Sequence, residues 1–236
     1  MKVAIMQPTF MPWSGYFALM HAVDHFVFLD DVQFDKRSWQ QRNKIKTEAC
    51  EKLLTIPVLT KGRFAQKINM VELTDFKKAA QKHLKTIEFS YSKSKFYKTV
   101  FPIIEQEYAM EYSKLCDLNI NLIHRFCELI GILVQTSRSS ELTCAGIKEK
   151  KLLAICKTLG AVEYFSPFGS SGYLTNLDEW RNANISVKYF ELNPQPYNQM
   201  HGVFISHLSI IDLLMNNLDS AKEYISCQKA IVCRNA

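Results

Sequence analysis

The sequence lacks any long apolar run. No stretch of its 236 residues approaches the roughly 20 uninterrupted apolar residues that a membrane-spanning helix requires. The N-terminus has a single Lys2 before VAIMQP, without the apolar segment of a secretion signal. We therefore expect a cytoplasmic protein.

Paired cysteines and clustered metal ligands are also lacking. The seven cysteines include no CxxC pair, which argues against a disulfide framework or a zinc ribbon. The histidines show no metal-ligand spacing, so we predict no metal site. Zinc-finger, RNA-recognition and leucine-zipper signatures are missing as well, which makes nucleic acid a minor hypothesis. The cofactor stays unknown.

Basic residues are in moderate excess. The formal net charge is +6, from 29 basic and 23 acidic residues, which favours an anionic ligand without identifying it. The hydrophobic content of 47% is sufficient for one large domain over residues 1–236.

The first 33 residues predict a β-loop-α-β unit. KVAIMQ is a strand that ends at Pro8, GYFALMHAV has helical spacing, and HFVFLD is a second buried strand. This pattern indicates an α/β fold with a Rossmann-like layered sheet, in which ligands bind beyond the carboxyl ends of parallel strands. That edge would hold residues 7–15 and 30–33.

A helical excursion is expected at about residues 74–130. KLLTIPVL and KINMVEL are predicted as two strands before it, and Thr74 and Asp75 are candidates to cap its first helix. Residues 97–130 read as one long helical region. ILVQTS, KEKKLLAICKTLG, VEYFS, LDEWRNAN and ISVKYFEL then return to alternating strands and helices, before a last buried helix, ISHLSIIDLLMNN.

The first candidate site is the loop that follows the first strand. It contains Gln7, Trp13 and Tyr16, and the helix start after it offers free backbone N–H groups to a phosphate. A stiff connection with Trp13 covering the core is the alternative. The layout is similar to the cytidylyltransferase-like superfamily, but WSGY stands where that superfamily has its Gly-His pair. Loss of both histidine positions argues against imidazole-assisted adenylyl transfer and leaves nucleotide binding open.

The second candidate site follows the second strand. Arginine forks suit phosphate or carboxylate, a tryptophan ring can stack on a base or sugar, and an aspartate can bind ribose hydroxyls or act as a general base. A solvated loop with an Asp-to-Arg ion pair is the alternative. The residues assigned to substrate binding here are Asp30, Gln33, Arg37, Trp39, Arg42, Asn43 and Lys46, with Asp31 as a catalytic candidate.

The opening 41-residue stretch MQPTFMPWSGYFALMHAVDHFVFLDDVQFDKRSWQQRNKIK resembles the N-terminal signature of WbqC-like proteins. LTIPV, LLAICKTLGA, SPFGSSGYL and LSIIDLLMNN resemble later blocks of that family, so the similarity extends to about residue 218. The resemblance implies bacterial origin, a frequent place in surface-polysaccharide gene clusters, and a role in modifying amino sugars. One departure is Pro167, which would stiffen the start of the glycine-rich loop.

That glycine-rich loop is the third candidate site. It follows a predicted strand, and its small residues let backbone amides approach an anion while serine hydroxyls add donors. An ordinary loop is the alternative, because neither a Walker lysine nor a complete GxGxxG is present. The assigned residues are Gly169, Ser170, Ser171 and Tyr173.

A fourth group lies near the last helix. His207, Ser209 and Asp212 would form an acid-base cluster, with His207 as a second catalytic candidate, or a buried structural one. The cysteines are interpreted as structural.

Three functions remain open from the sequence. The leading one is a transferase that attaches an acyl or aminoacyl group to the amine of a nucleotide-linked sugar, so the expected partner is such a sugar or another anionic small molecule. An ATP-dependent carboxylate-amine ligase and a non-catalytic sugar-nucleotide binding subunit are the alternatives. We expect the first two candidate sites to face one pocket and the glycine-rich loop to form another wall of it.

Overall fold

The structure is a computed structural model that describes residues 1–167, 174, 176–227 and 229–232. Within these residues the chain forms one large sheet and one separate hairpin. The strands are β1 (Lys2–Met6), β2 (His25–Phe28), β3 (Arg42–Lys46), β4 (Glu51–Thr55), β5 (Gln135–Arg138), β6 (Glu163–Pro167), β7 (Ser186–Leu192) and β8 (Lys229–Val232).

The large sheet has the order β5-β2-β1-β6-β7-β8. The first five strands are parallel, and β8 is antiparallel to β7. Ala4 of β1 is in register with Phe26 on one side and Phe165 on the other. The order of strands along the chain reverses between β1 and β6, which makes the gap beyond their carboxyl ends a topological switch point. The predicted Rossmann-like α/β sheet is confirmed.

Helices cover both faces of this sheet. The described helices are α1 (Ser14–His21), α2 (Phe76–Tyr91), α3 (Tyr97–Ala109), α4 (Leu115–Ile130), α5 (Lys148–Thr158), α6 (Leu177–Asn182), α7 (Ile210–Asn217) and α8 (Ala221–Cys227). Alternate residues of β1 point to opposite faces: Ala4 packs in the core with α1–α4, α7 and α8, whereas Val3 and Ile5 pack with α5 and α6. In the described part of the chain, no helix has both the length and the apolar character of a bilayer crossing.

The segment KINMVEL is not a strand, contrary to its alternating pattern. It contains a 3-10 turn, Ile68–Met70, and its backbone N–H groups bond to separate segments: Ile68 to the carbonyl of Val32, and Leu73 to that of Ser113. The alternation instead places Ile68 and Val71 in the core. The alternation of apolar and polar residues in this segment therefore reflects which side chains are buried, and not pairing within a sheet.

The helical excursion differs in detail from the prediction. Residues 97–130 form two helices, α3 and α4, rather than one. Asp75 occupies the N-cap position of α2 but makes no side-chain capping bond, and its φ of 48° is left-handed. The last predicted helix begins later than expected, because Ser209 caps α7 by accepting from the N–H of Ile211.

Candidate functional site

A cavity of about 910 Å³ opens at the switch point of the sheet. Its apolar lining comes from strands and their ends, from α5 and from Leu174: Ile5, Leu29, Leu152, Tyr164 and Leu174. Its polar lining residues are Gln7, Thr9, Asp31, Gln33, Lys67, Lys148, Glu149, Lys151 and Ser166. Cavities of this size and mixed character are typical of small-molecule sites.

The N-terminus of α5 forms one wall of the cavity. Gly146, Ile147, Lys148 and Glu149 line it, and the N-cap residue Ile147 provides no side-chain capping bond. Gly146 has a φ of 109°, and a Cβ there would lie 3.1 Å from the backbone nitrogen of Lys151. Only glycine allows the chain to enter the helix this closely. The wall therefore combines helix-terminal N–H groups with the charges of Lys148 and Lys151, which suits an anion, while the Glu149 carboxylate beside them accepts from Asn176 and Trp180.

Asp31 and Lys151 form an ion pair inside the cavity. The Lys151 ammonium donates to one carboxylate oxygen of Asp31, and the Ser139 hydroxyl donates to the other. The exposed fractions of the two charged side chains are only 10% for Lys151 and 15% for Asp31. Burial raises the pKa of Asp31, but the hydrogen bonds from Lys151 and Ser139 outweigh burial and hold that pKa below its usual value. Asp31 is therefore a carboxylate at neutral pH.

The WbqC-like protein family model matches residues 7–224. The chain belongs to the WbqC-like family. It is also similar to the uncharacterized protein Rv1507c of Mycobacterium tuberculosis, with 35% identity over 230 residues, or 95% of this chain and 97% of that protein. No solved structure matches the chain. The family match includes every described residue that lines the cavity except Ile5 and Met6.

Three predicted site residues of the WbqC-like signature line the cavity: the catalytic candidate Asp31 and the substrate-binding candidates Gln7 and Gln33. Asp31 is paired as described above. The side-chain oxygen of Gln7 accepts from the amide of Gln40 at 2.7 Å, which ties the loop after β1 to the segment before β3. Gln33 donates weakly to the carbonyl of Phe64 at 3.4 Å. The ends of β1 and β2 therefore meet in one pocket, as the strand order required.

Asp30 supports the cavity without lining it. Its side chain is fully buried, where the backbone N–H and the hydroxyl of Ser140 donate to its two oxygens at 2.9 and 2.8 Å. These bonds fasten the end of β2 to the loop after β5. A structural role replaces the predicted ligand contact, because both carboxylate oxygens already have buried partners.

The start of α1 is not an anion site. The Trp13 ring lies over Gly15 so closely that a Cβ there would be 2.3 Å from it, and Tyr16 is buried with its hydroxyl donating to the carbonyl of Gln7 at 3.2 Å. The other face of Trp13 meets the ring of His207, with centroids 4.5 Å apart. Neither Trp13 nor Tyr16, both predicted to bind substrate, is among the described residues that line the cavity, and both close the loop onto the core.

Asn43 and Lys46 are also structural. The Asn43 amide donates to the carbonyls of Phe10 and Met11 at 3.2 and 2.8 Å. The Lys46 ammonium, buried beneath residues 199–203, donates to the carbonyl of Val203 at 2.6 Å. Asn43 fixes the loop after β1, and Lys46 fixes the long connection from β7 to α7, so neither side chain is free for a ligand.

Asp212 belongs to the same buried network. Its position agrees with the alternative, given in the sequence analysis, of a buried structural cluster near the last helix. It accepts from the hydroxyls of Tyr91 and Tyr197 at 2.7 and 2.8 Å and from the amide of Gln199 at 2.8 Å. Burial raises its pKa, against the effect of these hydrogen bonds. Among the described lining residues His207 does not occur, so the structure does not bring the second catalytic candidate to Asp31.

The remaining predicted residues lie outside the cavity or outside the described residues. Arg37 and Trp39 are on an exposed turn, and Arg42 is a partly exposed residue of β3. None of the three is among the described residues that line the cavity. Gly169, Ser170, Ser171 and Tyr173 fall within residues 168–173, which the structure does not describe.

The sequence analysis missed the cationic wall. Lys148 and Lys151 lie in a predicted helix to which no site was assigned, and Lys67 lies in a segment predicted as a strand. The signal was nevertheless present, because the helix that follows β5 and precedes β6 must begin at the carboxyl edge of the sheet. A basic first turn at that helix start predicts anion binding.

Proposed function

We propose that this cavity binds a nucleotide-linked amino sugar and that the protein transfers an acyl or aminoacyl group to the sugar amine, in bacterial surface-polysaccharide biosynthesis. The observation that carries the proposal is the basic N-terminal turn of α5 at the switch point of a parallel sheet. Lys148, Lys151 and Lys67 line that place together with helix-terminal N–H groups, a combination suited to phosphate.

The apolar lining supports the same ligand class. It includes Ile5, Leu29, Leu152 and Tyr164, and apolar side chains of this kind can pack against a base or a sugar face. A nucleotide-linked sugar combines these features, since its pyrophosphate is doubly charged and its ends present flat or apolar faces.

The reaction forms one bond and breaks another. The lone pair of the sugar amine attacks the acyl carbonyl carbon, the C–N bond forms, and the bond from that carbon to the donor's leaving group breaks with its electron pair. The amine loses a proton, which passes to a carboxylate or to the leaving group. Asp31 is the catalytic candidate that lies in the cavity, and its low pKa makes it a carboxylate that binds and orients the amine.

A thermal-shift panel tests ligand class first. Nucleoside diphosphate sugars, ATP and coenzyme A esters are compared, because a ligand at a hundredfold excess over Kd stabilises the folded state by about 2.7 kcal/mol. We expect the sugar nucleotides to give the largest shift. Turnover is then measured by mass spectrometry with an amino-sugar nucleotide and activated acyl or aminoacyl donors.

A matched pair of lysine variants tests the site. Lys148→Ala should weaken nucleotide-sugar binding at least about tenfold, because a charge-assisted contact to phosphate is lost. Lys157→Ala removes the same charge from the far end of α5, where Lys157 is exposed, and should leave binding unchanged. Equal effects of the two variants would exclude this wall as the anion site. Binding without turnover for every donor would leave a sugar-nucleotide binding subunit.

A further inference from the structure

The cavity wall contains both a cation and an anion that are each other's partners. The Lys151 ammonium and the Asp31 carboxylate both line the cavity, and each is largely shielded from solvent. Besides Lys151, the Asp31 carboxylate accepts from the hydroxyl of Ser139 and from its own backbone N–H. The Lys151 ammonium has further N–H donors, so a phosphate that binds it shares this cation with Asp31 and brings negative charge beside that carboxylate.

A ligand with only negative charge pays a penalty at this place. If a phosphate draws Lys151 away, Asp31 keeps only the neutral donors of Ser139 and of its own backbone, and it becomes a poorly compensated charge in a shielded position. Leaving one member of a shielded ion pair without its partner is strongly unfavourable. A ligand that brings its own ammonium group removes this penalty, because each protein charge then exchanges one partner for another.

We propose that Asp31 and Lys151 together recognise a phosphate ester that also carries a primary ammonium group, with Asp31 accepting from the ammonium and Lys151 donating to the phosphate. This inference rests on the proposed function and narrows its substrate class. Because Lys151 contacts Asp31 directly, the ligand's two charges must lie close together. A 2-amino sugar 1-phosphate meets this condition, since the two groups are on neighbouring ring carbons.

The same pair distinguishes substrate from product. Acylation requires the bound ammonium to lose one proton to solvent before attack and a second one as the amide forms, and the resulting neutral amide no longer balances the Asp31 charge. Lys151 then returns to Asp31, and the contact of Lys151 with the product phosphate is lost. Affinity for the N-acylated sugar is therefore lower than for the free amine, which favours product release.

Calorimetry with sugar phosphates tests the inference without any acyl donor. Glucosamine 1-phosphate, glucose 1-phosphate, N-acetylglucosamine 1-phosphate and 6-amino-6-deoxyglucose 1-phosphate are titrated at about pH 6.5, where primary amines are protonated. Glucosamine 1-phosphate should bind at least about tenfold more tightly than the other three, the effect of one charge-assisted hydrogen bond.

Two variants separate the roles of the charges. Asp31→Asn should bring the four ligands within about twofold of one another, because the ammonium partner is gone. Lys151→Met should weaken all four at least about tenfold and keep the preference for glucosamine 1-phosphate. Asp178→Asn, which removes an exposed carboxylate paired with Arg181 on α6, is the control and should keep the wild-type pattern. Melting curves confirm that each variant is folded, and either cavity variant alone suffices for a decision.

The proposal is overturned if the wild-type protein binds the four ligands equally, if glucosamine 1-phosphate does not bind at millimolar concentration, or if Asp31→Asn keeps the preference. Acyl transfer to an amino-sugar nucleotide combined with equal binding would reject the charge recognition alone. A preference for glucosamine 1-phosphate without turnover would reject the transferase alone.

Discussion

His83 is a buried imidazole of α2 whose protonation opposes folding. Its Nδ1 lies 3.1 Å from the hydroxyl of Tyr108, and burial lowers its pKa to about 4, against the effect of a hydrogen bond to the backbone of Thr55. The unfolded imidazole titrates at about 6.5. Between these pH values the unfolded chain binds the additional proton, so stability falls as the pH decreases through this window and is not restored below it.

The expected size of this effect is about 3 kcal/mol between pH 6.5 and pH 4. Urea unfolding of the wild-type protein and of His83→Gln at several pH values measures it. The variant should be less stable at neutral pH but should lack this part of the pH slope. Parallel slopes for the two proteins would mean that His83 remains protonated in the folded state.

Lys46 and Asp212 are two buried charges, and removal of either one should destabilise the fold. Gln199 joins them, since its side-chain oxygen accepts from Lys46 and its amide donates to Asp212. Burial lowers the pKa of Lys46 and raises that of Asp212, so each charge depends on the field of the other. Lys46→Met or Asp212→Asn alone should destabilise the fold by about 3 to 5 kcal/mol, because one buried charge is left without compensation.

The double variant should be less destabilised than the sum of the single variants. The difference, a coupling of about 1 to 3 kcal/mol, is measured by urea unfolding of all four proteins. Strict additivity would show that the two charges do not interact. Ligand binding to the cavity should remain unchanged in any of these variants that stays folded, since neither residue lines it.

At the scale of elements, the entry into α5 depends on one glycine. Gly146→Ala forces a side chain into a left-handed φ and toward the backbone of Lys151, so the first turn of α5 must shift. We expect a loss of stability of about 1 to 2 kcal/mol together with at least about tenfold weaker binding of a nucleotide sugar.

Gly62→Ala is the matched control for that prediction. Gly62 also has a left-handed φ of 73°, but nothing lies within 4 Å of a Cβ there, and it does not line the cavity. Its substitution should lower the melting temperature while leaving affinity unchanged. A similar loss of affinity in both variants would trace the effect to general destabilisation rather than to the helix entry.

The elements that the sequence predicted well are those whose pattern and partner agree. β1, α1 and β2 were recognisable because Pro8 and Gly15 separate their apolar runs. The runs of β1 and β2 are also adjacent inner strands of the sheet, and α1 packs against it. Residues 67–73 misled the prediction, since their alternation is satisfied by burial and their hydrogen bonds go to irregular segments. Side-chain hydrogen-bond partners could not be predicted either, because they come from distant parts of the chain. The donors to Asp30, for example, belong to Ser140, 110 positions away.

At the scale of the whole molecule, strand order determined more of the site than any motif did. The expectation that the ends of β1 and β2 face one pocket follows from parallel pairing alone, and Gln7, Asp31 and Gln33 do line one described cavity. Motif reasoning also selected Arg37 and Trp39, and neither is among the described residues that line the cavity. Charge and residue type indicate the class of ligand, whereas the strand order indicates where in the fold the binding cavity lies.

Ligand binding should be lost together with the global fold, because the cavity joins β1, β2, α5 and β6. Titrating urea while following circular dichroism and the fluorescence of a bound nucleotide analogue should give coincident transitions. An earlier loss of binding would instead identify a part of the cavity that opens locally while the sheet remains intact.

The two ends of the Asp31 to Lys151 contact are made at different times during translation. The two residues are 120 positions apart, and Ser166 lies further along still. At about 5 to 20 residues per second, the ribosome releases Asp31 several seconds before Lys151 exists. A nascent chain that ends before α5 therefore lacks the helix start that we propose as the anion site, so a ligand of that site can act only after α5 has been synthesised.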